Sequence, residues 1–413
     1  MSDVQVFLDS YGALRRVGTL RRYSGARCER VTYEHDPHWL TSSDAFQFDP
    51  TIPLTAGVIV PQAHKEMFGT LGDSAPDTWG RELMRRKERR QAELEGRPPR
   101  VLHETDYLLG VSDQTRLGAF RFKFDEGGEF QASNSGGVPT LIALGGLIEA
   151  SHRIVSGDET DEDLRLVFAP GSSLGGARPK ASIFDQHGKL SIAKFPKETD
   201  HYSVSRWEAI ALDMAKACGI NTVDYDLVST SHGLVFITPR FDRLGEQRIP
   251  FMSALAMTEH DDGDDDASYL EIVDAITNHG AHPAQDRAEL FRRIAFNILI
   301  NSTDDHLRNH GFLWAGRHGW QLSPCYDLNP APAAARVLKT RINFDDATAS
   351  LQLLQEVAEH FLRPADGLTI IRECGGVVRN WRDFAHRRQA PAAEIDRMVA
   401  AFEHDDLAYA LRL

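Results

Sequence analysis

Asn301-Ser-Thr-Asp304-Asp305-His306-Leu-Arg308-Asn309-His310-Gly311 sets an acid and an amide five positions apart, just past a strongly apolar run that reads as a buried helix. Eighteen residues beyond Asn309 stands Asp327, in Ser323-Pro-Cys-Tyr-Asp327-Leu-Asn-Pro330. An acid, an amide and a second acid are the minimal set for phosphoryl transfer: one group orients the attacking hydroxyl and two hold magnesium. Asp-x-x-x-x-Asn alone carries little, because a chain this long produces it by chance. Its context carries more. Gly311-Phe-Leu-Trp314 and Trp320-Gln-Leu322, separated by a turn over Ala315 to Gly319, predict a β-hairpin. A hairpin returns the chain to where it began, which predicts Asp327 beside Asn309, as shared cation ligation requires. Loop capping by Asp304 or Asp305, with Asn309 satisfying loop backbone, explains the same residues without chemistry.

Working outward, the bulk composition bounds this reading. The 413 residues are 42% hydrophobic and 26% charged, ordinary for two or three packed globular units. A net charge of -14 and a pI of about 5.6 argue against a broad nucleic-acid-binding surface. The local exception is Arg81 to Arg90, with five arginines and a lysine. Cys28, Cys218, Cys325 and Cys374 are far apart, which gives no support to a zinc finger or a disulfide scaffold. The N-terminus lacks the basic start and apolar run of a signal peptide, and no apolar stretch approaches membrane-spanning length. The expectation is a reduced, cytoplasmic protein.

Along the chain, short strands fill the first forty residues, around a turn at Ser10-Tyr-Gly12. A helix follows Asp73-Ser-Ala-Pro76 and runs to Leu94, with Asp77 at its positive end. A second helix start near Asp106 leads to a strand at Leu117 to Phe122. Residues 124 to 139, polar and Gly-rich, read as a linker. Leu141 to Val155 predicts a helix, and an acidic helix start follows at Asp158 to Asp163. Lys180 to Phe184 and Leu190 to Phe195 predict a hairpin around Asp185-Gln-His-Gly188. Ser203 to Cys218 predicts a helix closed by Gly219, and Asp226 to Ile237 one or two strands. Beyond Phe241 the pattern is mainly helical, with Asp261 to Asp266 a solvated acidic loop and Leu290 to Ile300 a buried helix. A strand-rich segment before a helix-rich one predicts an α+β, two-lobed protein with a cleft. The expected divisions are 1–125, 140–243 and 244–413.

Several further residues suit that chemistry. Gly171-Ser-Ser-Leu-Gly-Gly176 resembles the start of a Walker loop, but Ala177-Arg178 stands where Lys-Ser/Thr belongs, which rejects a P-loop. Its backbone amides can still cradle phosphate oxygens. Centring the hairpin turn on Gln186-His187 places Lys180 opposite Lys194, where the like charges repel unless an anion relieves them. Lys194 lies in an apolar strand, where an unpaired ammonium is unfavourable, and Glu208 is its natural counter-charge. Pro239-Arg240-Phe241-Asp242 follows a strand where a hinge would fall, and Phe241 could bracket a base. A metal-hydrolase reading through Asp304, Asp305, His306 and His310 leaves the glycine loop, Lys194 and Asp327 without roles.

Together these segments resemble the HipA family, the serine/threonine-kinase toxins of bacterial HipBA-type toxin–antitoxin modules. The resemblance spans most of the chain. It rests on Asp73-Ser-Ala-Pro-Asp-Thr-Trp79-Gly80-Arg81, Leu108-Leu-Gly-Val-Ser-Asp113, Gly171 to Lys180, Ala193-Lys194-Phe-Pro, Arg240-Phe-Asp-Arg243, Asn301 to Asn309 and Cys325-Tyr-Asp327. It implies a kinase-like fold with an N-terminal β-rich subdomain, a small lobe and a mainly helical C-lobe. It also implies ATP and Mg2+ as cofactors. Asp304 resembles the catalytic aspartate, and Asn309 and Asp327 the magnesium ligands. Lys194 resembles the strand lysine that holds the ATP phosphates, with Ser173, Leu174, Gly175 and Lys180 beside the nucleotide. Pro239, Phe241 and Tyr326 resemble the surroundings of adenine, with Asp242 and His306 near the nucleotide. Ser173, or Ser172 beside it, stands where the family autophosphorylates and so switches itself off; the added charge beside a phosphate-binding loop is a physical reason. Ser302-Thr303-Asp304 and Tyr326-Asp327-Leu328 depart from eukaryotic kinase motifs in the same way as the HipA group.

The implied target is an aminoacyl-tRNA synthetase, most often the glutamyl enzyme. The implied partner is a HipB-like helix-turn-helix antitoxin, through which operator DNA is touched indirectly. A non-catalytic corepressor of the same shape and a small-molecule kinase are the alternatives.

Overall fold

Tyr11 and Gly12 both take positive φ, 51° and 82°, and the strands they join pair at Ser10 and Ala13. Two left-handed residues in a two-residue loop match the right-handed strand twist, so the turn closes a tight hairpin. It joins Ser2–Ser10 to Ala13–Ser24. The computed structural model describes residues 2–24, 29–125, 127–132, 138–168, 178–332 and 335–413. They form two compact units, one of residues 1–199 with 228–252, the other of 200–227 with 253–413.

In the first unit, a five-stranded antiparallel sheet runs Val58–Ile59, Glu29–His35, Ala13–Ser24, Ser2–Ser10, Phe120–Lys123. Val4, Val6 and Leu8 are buried together, the period-2 pattern of a strand with one face inward. Gly18 is required there: a Cβ would lie 2.3 Å from the Tyr33 hydroxyl, which donates to the Val17 carbonyl at 2.7 Å. A second sheet runs Lys180–Phe184, Leu190–Lys194, Gly233–Pro239, Asp226–Thr230. Its inner face packs Ile183, Ala193, Val235 and Ile237 against Leu147, Ile148 and Ile154 of helix Leu144–Ser156. Trp79 and Leu83 of helix Thr78–Leu94 enter the same core. Residues on both sides of 124–139 thus contribute to one compact unit. Phe130 packs edge-on to Phe7, with centroids 5.7 Å apart, and the Arg121 guanidinium lies over its ring.

The basic stretch 81–90 is largely neutralised. Arg81 pairs with Glu104, Arg86 with Glu82 and Glu159, Arg89 with Glu82, and Arg90 with Asp161. A wholly buried arginine, Arg116, donates to the carbonyls of Ser74, Leu108 and Val111, tying the loop after helix Glu104–Gly110 to the end of an earlier helix.

The second unit is mainly helical. Helix Pro283–Leu299 is buried through Leu290, Phe291, Ile294, Phe296 and Ile298, and it carries the chain to Asn301. Helix Val204–Ala217 is N-capped by Ser203, and its Trp207 packs against Trp381 and Phe402, which stack with centroids 4.6 Å apart. Trp207 also donates to Glu394 at 2.9 Å. Strands Gly311–Trp314 and Trp320–Leu322 form the hairpin expected from sequence, with Trp314 opposite Trp320. Among the described residues, no helix is long and apolar enough to cross a membrane.

Candidate active site

The hairpin and the helix ahead of it set the loop 301–310. Asn301 leaves the helix in the left-handed region, φ 51°, a conformation Asn tolerates better than most residues. Its Nδ2 donates to the Ala331 carbonyl at 2.8 Å, and Ala331 N donates back to the Asn301 carbonyl at 3.2 Å. Asn329 N donates to Ser302 Oγ, and the Tyr326 hydroxyl donates to the Arg308 carbonyl at 2.7 Å. These ties bind the segment holding Asp304 and Asn309 to the segment holding Asp327. Cys325 is fixed in turn, exchanging backbone hydrogen bonds with Asn221 and Val223.

Within that frame Asp304 is exposed. Asn309 is buried, and its Nδ2 donates to the Asp304 carbonyl at 3.2 Å. This leaves the amide oxygen as the atom Asn309 can offer a cation. Asp327 has φ 59°, also left-handed, and Asn329 Nδ2 lies 3.2 Å from its Oδ1. Both side chains supply the hard oxygen that magnesium requires. His306 is half-buried, and its Nδ1 has no hydrogen-bond partner among the described residues. A buried orphan nitrogen is the kind of atom a bound polar ligand satisfies.

The neighbouring acid plays another part. Asp305 is buried and accepts from the Tyr269 hydroxyl at 2.5 Å, Asn297 Nδ2 at 2.8 Å and His310 Nε2 at 3.0 Å. Burial alone would raise its carboxyl; the facing His310, with the Tyr269 hydroxyl, outweighs this and holds it below the ordinary range. Asp305 and His310 are therefore committed to each other, which removes the metal-hydrolase arrangement. Among the described residues, the one His/Asp group close enough to share a cation is His260 with Asp264 and Asp266. The acidic loop 261–266 is also more than solvated: Asp262 takes both of its oxygens to the Arg308 guanidinium at 2.7 Å.

In the first unit, Lys180 and Lys194 face each other across the hairpin, as the turn predicts. Lys180 is buried and pairs with Asp77 at 2.7 Å, so an acid of the same unit meets its charge. Lys194 is half-buried, its Nζ 5.5 Å from the Phe236 ring centroid. Pro239 ends its strand, and Phe241 packs against Phe251 with centroids 6.0 Å apart. Asp242 is fully buried and accepts from Arg240 and Arg243 at 2.6 Å and from Gly118 N at 2.7 Å. Burial opposes its ionisation, but Arg240 and Arg243 bring its carboxyl down to about 2. Both of its oxygens are thus engaged within the first unit. Glu208 is buried on helix Val204–Ala217. Ser172, Ser173, Leu174 and Gly175 lie outside the described residues.

Sequence reading missed Asn301, Asn329 and the Asp305 cluster. The Asp304-Asp305 doublet signalled that two acids needed homes, but nothing in it separated the exposed one from the buried one.

Comparison with known proteins adds four findings. Residues 172–403 match the HipA-like C-terminal domain family. A Haemophilus influenzae protein with a provisional kinase name is 27% identical over 181 residues, covering 38% of this chain and 52% of its own. This chain thus spans about half the length of that curated relative. Among solved structures, HipA of Shewanella oneidensis MR-1, determined with HipB and operator DNA, superposes with a TM-score of 0.71 at 15% identity, over 99% of this chain and 96% of that one. This likeness shows the fold, α+β and HipA-like. CtkA of Helicobacter pylori, a kinase by name, gives a TM-score of 0.41 at 16% identity over 58% of this chain and 93% of its own. With more than half of its length matched by the family model, the chain belongs to the HipA-like C-terminal domain family.

Proposed function

We propose that the protein is an ATP- and Mg2+-dependent serine/threonine-protein kinase, the toxin of a type II toxin–antitoxin pair. The observation that carries this reading is the second unit's loop: an exposed Asp304, the amide oxygen of Asn309 and the carboxylate of Asp327 on segments bound to each other. Asp304 would accept the proton of a substrate hydroxyl, and Asn309 with Asp327 would hold the metal. The bound metal–nucleotide supplies the phosphoryl group. In the first unit, Lys194 is proposed for its phosphates and Pro239 and Phe241 for its base; in the second, Tyr326 and His306 are proposed for the nucleotide and Glu208 as a structural ion-pair acid. Ser173 or Ser172 would be the self-inactivating site.

The partner proposed is a HipB-like helix-turn-helix protein that brings operator DNA indirectly, which suits a net charge of -14. The substrate proposed is an aminoacyl-tRNA synthetase, the glutamyl enzyme first. Purified protein with radiolabelled ATP, magnesium and that synthetase tests the reading. Label on a serine or threonine, lost in Asp304→Asn, is expected. Wild-type protein that labels neither the synthetase, itself nor any protein of a cell lysate overturns it in favour of a non-catalytic binding module.

A further inference from the structure

Two consecutive acids, Asp304 and Asp305, have opposite surroundings. Asp305 is turned into the protein and Asp304 out to solvent, across a tight turn in which His306 N donates to the Asp304 carbonyl at 3.1 Å. Asp305 is anchored from three elements: Tyr269 opens helix Tyr269–His279, Asn297 lies in helix Pro283–Leu299, and His310 precedes strand Gly311–Trp314. A fourth contact holds its backbone, since Thr340 Oγ1 donates to the Asp305 carbonyl at 2.7 Å. The flanking carbonyls are tied as well, that of Thr303 by Lys339 N and that of Asp304 by Asn309 Nδ2.

Stability alone does not call for a charge here. A buried ionic cluster is often no more stabilising than apolar side chains of the same volume. A carboxylate with three fixed donors does something they cannot: it admits one orientation of the loop. We infer that Asp305 is the positioning residue of the proposed phosphotransfer loop, holding Asp304 outward and Asn309 in register with it. This inference rests on the function proposed above. Tyr269 and His310 share the task, their rings edge to face at 5.7 Å.

The test compares full-length wild type with Asp305→Asn and Tyr269→Phe. Asp305→Asn keeps the shape and replaces an acceptor with a donor that faces other donors. A displacement of about 1 Å at a reacting group costs on the order of 100-fold in rate. The expected result for Asp305→Asn is therefore a kcat about 100-fold lower per folded molecule, with KM for ATP unchanged. Tyr269→Phe, which removes one donor and disturbs folding less, should lose about 10-fold in kcat, again without a change in KM. His310→Gln, which retains an N–H donor near the Nε2 position, should recover most of what His310→Leu loses. A folded Asp305→Asn with wild-type kcat, or a loss confined to KM or to the folded fraction, overturns the assignment.

Amide hydrogen exchange separates this outcome from failure of the kinase reading, since it needs no turnover. Faster exchange over 303–310 in Tyr269→Phe, with the rest of the second unit unchanged, supports positioning even if wild type transfers no phosphate. Unchanged exchange over 303–310 overturns it.

Discussion

Asp304 and Asp305 show how little a residue's identity says without its surroundings. One carboxylate is open to solvent; the other accepts three side-chain hydrogen bonds, and a fourth side chain, Thr340, donates to the carbonyl of the same residue. Asp304→Asn should lower phosphoryl transfer by about 10²–10⁴-fold, the usual contribution of a positioned base. It should leave stability in urea within about 0.5 kcal/mol of wild type, because nothing packs on an exposed side chain. A large loss of stability would show that Asp304 is structural. The oxygen donors at 304, 309 and 327 were legible because their chemistry is written in residue type and the hairpin between them in strand pattern. The use of Asp305 was not, because Tyr269 lies 36 positions away in sequence and only folding brings it near. The buried contacts of Asp242 and Lys180 were not legible for the same reason: their partners Gly118 and Asp77 come from a distant part of the chain.

At the scale of elements, helix Thr78–Leu94 does more than its sequence suggests. Asp77 is its N-cap, accepting from Gly80 N at 2.8 Å, and the same carboxylate reaches the buried ammonium of Lys180. Asp77→Ala removes both, and breaking a buried pair from one side costs about 3–5 kcal/mol. Denaturant unfolding should show a loss of that order, and adding Lys180→Met should restore much of it. If the double variant is no more stable than the single, the pair is not the source. Helix starts and turns were read well here, since caps and glycines act locally: Asp77, Ser203 and Gly219 all serve where expected. A polar, Gly-rich stretch such as 124–139 marks a surface loop whether or not it separates cores. The packing of Trp79 against the second sheet, which joins the two sides, has no local signature.

For the whole molecule, acid is the informative stress. His404 accepts no charge easily: burial, reinforced by Arg336, lowers its pKa from 6.5 to about 4. The unfolded chain therefore binds more protons than the folded one between those values, and stability falls as pH drops from about 6.5 toward 4. His404→Gln should flatten that slope in urea-unfolding curves across pH; an unchanged slope would place its origin elsewhere. His260 works in the opposite sense. Burial opposes its charging, but Glu271 and Asp264 prevail and raise its pKa, so its contribution is present in acid and fades as pH rises through the raised value. Asp242 adds a later loss, as pH falls through about 2. The interleaving of the units has a further consequence during synthesis. The ribosome delivers Trp207 long before its acceptor Glu394, which follows 187 residues later. Helix Val204–Ala217 must therefore wait, with its tryptophan lacking that acceptor, until Glu394 has emerged. No single cut frees either half as a contiguous piece: expression of 253–413 alone should give an insoluble fragment, and co-expression of 200–227 should be needed to rescue it.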